Sequence, residues 1–145
     1  MSPALPDILT GQAVALATPL PPEAAGDYAA GRAAILTLLA LLAAQEAERG
    51  PAARIWENGA LRALLAGAAA AYDGALGGRL ALAAALDTDF SWTALDAANA
   101  DLRRLLIALH EAAENRRDAA LDREILALYV RMAQARRLEF PGVGG

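Results

Sequence analysis

The sequence predicts an all-α fold, an up-and-down four-helix bundle behind a proline-rich N-terminal segment. Three observations predict it. Alanine and leucine dominate a hydrophobic fraction of 57% in which aromatics contribute only 5%, and both residues are strong helix formers. Long β-branched runs, which strands would need, do not occur in the sequence. Glycine and proline fall in clusters that cut the chain into stretches of helical length. The 145 residues fit one domain with a core of its own. Residues 1–21 read as an N-terminal segment, 22–140 as the bundle domain and 141–145 as a flexible tail.

The elements follow in order. "PDILTGQAVALA", 6–17, fits a short helix opened by Pro6 and weakened by Gly11. "TPLPP" then forms a stiff connector, because each proline drives its predecessor out of the α region. Helix A is expected over about 22–49. Glu23 and Asp27 suit its positive end, and Gly50-Pro51 closes it. Helix B is expected over 51–86, with a break near 73–78 where Gly74, Gly77 and Gly78 crowd together. Ser91 is the chosen N-cap of helix C, about 92–114.

No glycine or proline separates Trp92 from Phe140, so periodicity must decide whether one helix or two occupies that stretch. The apolar stripe Leu95, Ala98, Leu102, Leu105, Leu109 and the stripe Leu121, Ile125, Leu128, Met132 point about 130° apart at 100° per residue. One straight helix cannot turn both toward one core. A turn at 115–118 with Asp118 as N-cap therefore separates helix C from helix D, about 119–138. Leu121, Ile125, Leu128, Met132 and Ala135 give helix D the clearest amphipathic spacing in the chain.

Charge and composition exclude several functions. The net charge is −4, and the thirteen basic residues, all arginine, are scattered. Nucleic-acid binding, which rests on phosphate neutralisation, is not expected. The chain has no cysteine, so thiolate chemistry, disulfides and cysteine-ligated zinc are out of reach. The longest apolar run, residues 33–44, is too short for the roughly 20 residues of a bilayer span. With no basic n-region at the N-terminus, the expected location is the cytoplasm.

Candidate sites are few. His110, Glu111 and Glu114 sit together in "ALHEAAENRRD", but His110 is the only histidine. Two ligands at i, i+4 do not make a metal site, and neither Glu-x-x-His nor His-Glu-x-x-His is present. Asp96, Asn99, Arg103, His110 and Glu114 lie opposite the leucines of helix C and read as a solvated face. No nucleophile elbow and no phosphate loop occurs. No catalytic residue, metal or cofactor is expected. "RIWENG", 54–59, gathers Arg54, Glu57 and Asn58 beside Trp56. Its bland reading is a boundary tryptophan with a local ion pair, and its sharper one a polar anchor for a ligand. Most aromatics read as core plugs. Trp56 and Trp92 are the residues that would close an apolar pocket between helices.

Helix A carries a stripe of small residues: Gly26, Ala30, Ala33, Thr37, Ala40 and Ala44. Such stripes let two helix backbones approach closely. Ala33, Thr37, Ala40 and Ala44 face either the bundle's own core or a second subunit, and both readings stay open.

"YAAGRAAILTLLALLAAQEAERGPAARIWENGALRALLAG" followed by "ALGGRLALAAALDTDF", about 28–90, resembles a family of short, uncharacterised helical proteins. They are encoded beside phosphotransferase-like kinases and acyl-CoA dehydrogenases in GC-rich bacteria. The C-terminal half departs from that pattern, because the family's terminal Asn-Pro-Arg is missing. The resemblance implies an accessory role near acyl-CoA metabolism and carries over no catalytic residue. The expected function is thus a non-enzymatic, homodimeric helical-bundle accessory or interaction protein. The alternative is a helical domain holding an apolar or acyl-type small molecule between its helices.

Overall fold

A computed structural model of the chain describes residues 5, 8, 11, 12, 27–72, 74–83 and 85–139, and of 27–30, 33, 34 and 37 only the backbone. The fold is all-α: α1 Asp27–Ala69, α2 Gly74–Leu82, α3 Trp92–Arg116 and α4 Ala119–Ala135, with no strand among the described residues. Ile8, Gly11 and Gln12, inside the expected helix 6–17, are helical. The rest of that segment, the start of helix A at 22–26 and the tail 141–145 lie outside the described residues.

The expected division of helix A from helix B at Gly50-Pro51 is corrected. α1 runs through Pro51 without interruption. Proline removes one helical donor, and its ring crowds the carbonyl four residues back. Gly50 eases the other half of the problem, since the clash that bars a pre-proline residue from the α region involves its Cβ. The chain nevertheless divides at this point into two compact units, one of residues 1–50 with 137–145 and one of residues 51–136.

In the first unit Ile8 and Ala43 are buried. Gln45 pairs with the backbone of Glu139 like a second peptide. Its Nε2 donates to the Glu139 carbonyl at 2.9 Å, and its Oε1 accepts from the Glu139 N–H at 2.8 Å. Ala40 and Ala44, the two members of the small stripe whose side chains are described, are exposed. The core reading of the stripe does not hold for them, and the buried residue here is Ala43.

The second unit holds the main core. Leu61, Leu64, Leu65 and Ala68 of α1 pack with Leu80 of α2, Leu102, Leu106 and Leu109 of α3, and Ile125, Leu128 and Met132 of α4. Helix B breaks earlier than expected: α1 ends at Ala69, and α2 begins at Gly74 with φ +72°, a conformation that glycine adopts without cost. A Cβ at Gly77 would collide with the Tyr72 carbonyl oxygen, so the tight return needs glycine there too. α2 stops at Leu82 rather than near 86, and the segment that follows carries Asp87 to α1 (below).

Both N-caps fall where the sequence puts them. Ser91 Oγ accepts from the Ala94 N–H at 3.3 Å, and Asp118 Oδ1 from the Leu121 N–H at 3.1 Å. Arg117 closes α3 at φ 56°, a left-handed position that side chains other than glycine, asparagine and aspartate seldom take. α4 ends at Ala135, earlier than the expected 138, and Arg136 caps it.

Candidate functional site

The polar centre of the second unit is built by α1. Its buried face runs Arg54, Glu57, Asn58, Leu61, Leu64, Leu65, Ala68, a single helical stripe by spacing. The first three positions are polar and the last four apolar. Glu57 and Asn58 are 0% exposed, and ionised groups are buried so fully only when paired.

Each group has a partner from another element. Arg136, at the end of α4, grips Glu57 through two guanidinium nitrogens at 2.6 and 2.5 Å. Its Nη2 also donates to Asn99 Oδ1 on α3 at 2.9 Å. Asn99 Nδ2 donates to Asn58 Oδ1 at 2.9 Å, and Asn58 Nδ2 donates to the Leu95 carbonyl at 3.2 Å. Arg62 forks onto Asp87 at 2.8 and 2.5 Å. Arg54 pairs with Asp96, and its guanidinium lies 5.8 Å from the Trp92 ring centre. Three guanidiniums thus meet three carboxylates in pairs. Glu57 Oε1 and Arg62 Nε stay buried without a protein partner.

Two of these groups titrate away from their ordinary values. The hydrogen bond from Arg62 holds the Asp87 carboxyl low, against a smaller upward push from burial, with Asn58 adding to the lowering. Burial pulls the Arg136 guanidinium down, and Arg54 and Arg103 add to that while Glu57 opposes it.

Near the turn regions, Tyr72 is buried beneath the Arg116 guanidinium, 4.3 Å from its ring centre. Its hydroxyl has no hydrogen-bond partner, and burial raises its pKa. Phe90 is exposed, while Trp92 and Tyr129 are half-buried. The core-plug reading of the aromatics thus holds for Tyr72 and not for Phe90.

The outward side of α1 over 51–69 carries none of the charge found on the inward one. Ala52, Ile55, Trp56, Gly59, Ala63, Ala66 and Gly67 are exposed, and no charged residue is exposed in this stretch. Trp56 is 40% exposed and belongs to this face, whereas Trp92 lies against Arg54.

The solvated-face reading of α3 is corrected in part. Asn99 is buried, Asp96, Arg103 and His110 are half-buried, and Glu111 and Glu114 are exposed. Helix α3 packs on α2 and α4 and bonds to α1, so part of its polar flank meets α1 and α4. His110 Nε2 lies 2.9 Å from Asp122 Oδ1 on α4, and its ring centre is 6.0 Å from that of Tyr129.

In sequence, Arg54, Glu57 and Asn58 stand out only as a local group, although their spacing also puts them on one face with Leu61 and Leu65. Arg62, Asp87, Asp96 and Arg136 carried no local signal, because their partners are 25 to 79 residues away in sequence.

Fold and site together define a small all-α protein pinned by a buried ionic network. No family model, no curated protein and no solved structure matches the chain. Among the described residues, no helix is long and apolar enough to cross a membrane.

Proposed function

We propose that the chain is a non-enzymatic interaction module that assembles as a homodimer through the outward face of α1. One observation carries this reading: between 51 and 69 the charges point inward, and the exposed side chains are apolar or glycine. A water-facing helix side ordinarily carries the charges. Interface cores are depleted in charge and enriched in tryptophan. Apolar faces of this kind are rare on monomers.

The face suits a second copy of itself. Ile55 and Trp56 are knobs, while Gly59, Ala63 and Gly67 are holes one to three turns further on. An antiparallel partner helix centred near Gly59 seats each chain's knobs over the other's holes, the self-complementary contact a twofold axis requires. A lipid surface fits less well, because amphipathic helices that lie on membranes flank their apolar side with Lys or Arg. The accessory role and the apolar-ligand alternative stand on sequence alone, and among the described residues no side-chain arrangement favours the latter.

Sedimentation equilibrium with circular dichroism tests the reading. The wild type should be a dimer at micromolar concentration. Ala63→Glu should give a monomer of unchanged helix content, since Ala63 is exposed within its own chain. Gly59→Ala adds a second arm. A Cβ at Gly59 meets nothing within 4 Å in its own chain, so in a monomer it should stabilise the helix by about 0.5–1 kcal/mol. In a close-packed dimer it should weaken association instead. A monomeric wild type, or a native mass spectrum showing a monomer with a bound small molecule, rejects the proposal.

A further inference from the structure

We propose that His110, Glu114 and Asp122 form a binding site for a divalent transition metal of the zinc class, bridging α3 and α4. His110 and Glu114 stand at i, i+4 on α3 and face the same way. The hairpin brings Asp122 of the first turn of α4 to them. One ligand atom from each residue lies within 4.8 Å of the other two, and His110 Nε2 and Asp122 Oδ1 are 2.9 Å apart.

The donor set selects the metal. One imidazole and two carboxylates suit zinc, manganese and iron, whereas calcium and magnesium prefer all-oxygen shells. Bonds of about 2.0–2.2 Å place the ligands of a tetrahedral ion roughly 3.4 Å apart. The His110–Asp122 pair is already near that separation, and Glu114, being exposed, has the rotamer freedom to close on it. Tyr129 packs beside the imidazole and limits its rotation. Two carboxylates and a neutral imidazole carry −2 in total, which the cation neutralises. Three protein ligands leave one coordination position open to solvent. Bound there, the ion ties the two helices together across a turn that holds Arg117 at φ 56°.

The competing reading is a plain His110–Asp122 hydrogen bond with Glu114 nearby. Calorimetric titration of zinc chloride into the chelator-treated full chain separates the two, with magnesium chloride as a parallel probe. Expected are one zinc per chain, little magnesium binding and a melting temperature raised by roughly 5–10 °C at about a hundred times Kd. Glu114→Gln, Asp122→Asn and His110→Gln should each weaken zinc by about tenfold or more. Glu111→Gln should bind as the wild type does, because that side chain is exposed, lies about 100° round the helix from His110 and about 60° from Glu114, and is outside the ligand cluster. Glu114 is exposed, so its variant keeps the fold and isolates the ligand effect. No zinc binding, zinc binding unchanged by Glu114→Gln, or an equal loss in Glu111→Gln overturns the site.

Discussion

Residues 51–69 of α1 and the whole of α4 are similar in length and border the same core, yet only α1 buries charged and amide side chains beside its apolar ones. α4 follows the ordinary pattern on its inner side, where Ile125, Leu128 and Met132 are buried, while its outer side mixes Arg123, Glu124 and Arg131 with Leu126 and Val130. α1 places Arg54, Glu57 and Asn58 inside and Ile55, Trp56 and Ala63 outside. In α4 the hydrophobic effect alone chooses the buried face. In α1 the buried charges are tolerable because α3, α4 and the segment after α2 deliver a matched partner for each. The contrast shows what the network does. Ion pairs so placed add little net stability, but breaking one leaves a charge stranded in the interior. The outward apolar face is left for the partner proposed above.

The sharpest way to break the comparison is Arg136→Ala. It strands Glu57, which is 0% exposed, and should destabilise the chain by about 3–5 kcal/mol in urea unfolding. The pair Glu57→Met with Arg136→Met should recover most or all of that loss, since apolar replacement of a whole buried pair is often neutral or favourable. A double variant as unstable as the single one would mean that Arg136 acts through something other than its charge.

The α4 side is tested by Leu128→Ala. Leu128 is 1% exposed, and its truncation should cost about 2–5 kcal/mol through lost transfer energy and the cavity left behind. Unlike the loss at Arg136, this one has no charge to compensate and should not be relieved by a second change at a paired residue. An unchanged unfolding midpoint would remove Leu128 from the core.

Asp87→Asn should have the smallest effect and the most specific pH signature. Folding lowers the Asp87 pKa, chiefly through Arg62. The stabilisation is therefore complete above the unfolded aspartate value of about 3.9, and it is lost as pH falls through the lower folded value. The stability gap between wild type and variant should be level from about pH 5 to 8 and shrink below about pH 4. A gap that persists undiminished in acid would show that the carboxylate charge is not its cause.

How far the sequence could be read follows from the same contrast. The α3–α4 hairpin was legible: the shift in leucine direction placed the turn, and Ser91 and Asp118 announced both caps. In α1 the rule that charges face water failed at Arg54 and Glu57, because it holds only for unpaired charges. Gly50-Pro51 reads locally as a stop, yet the helix passes through it. α2 and α4 end earlier than alanine and leucine propensity predicts; Arg136, directly after α4, and Asp87, five residues after α2, pair with Glu57 and Arg62.

The sequence by itself determined the all-α class, the leucine faces of α3 and α4 and their caps. Those features depend on spacing and on groups within one turn of each other. Only the tertiary structure decided which side of α1 is inside, where Arg136 and Asp87 go, and that Asp122 joins His110 and Glu114. Each of those depends on a partner in another segment. Paired charges reverse the sign of the burial preference that a sequence pattern has to assume.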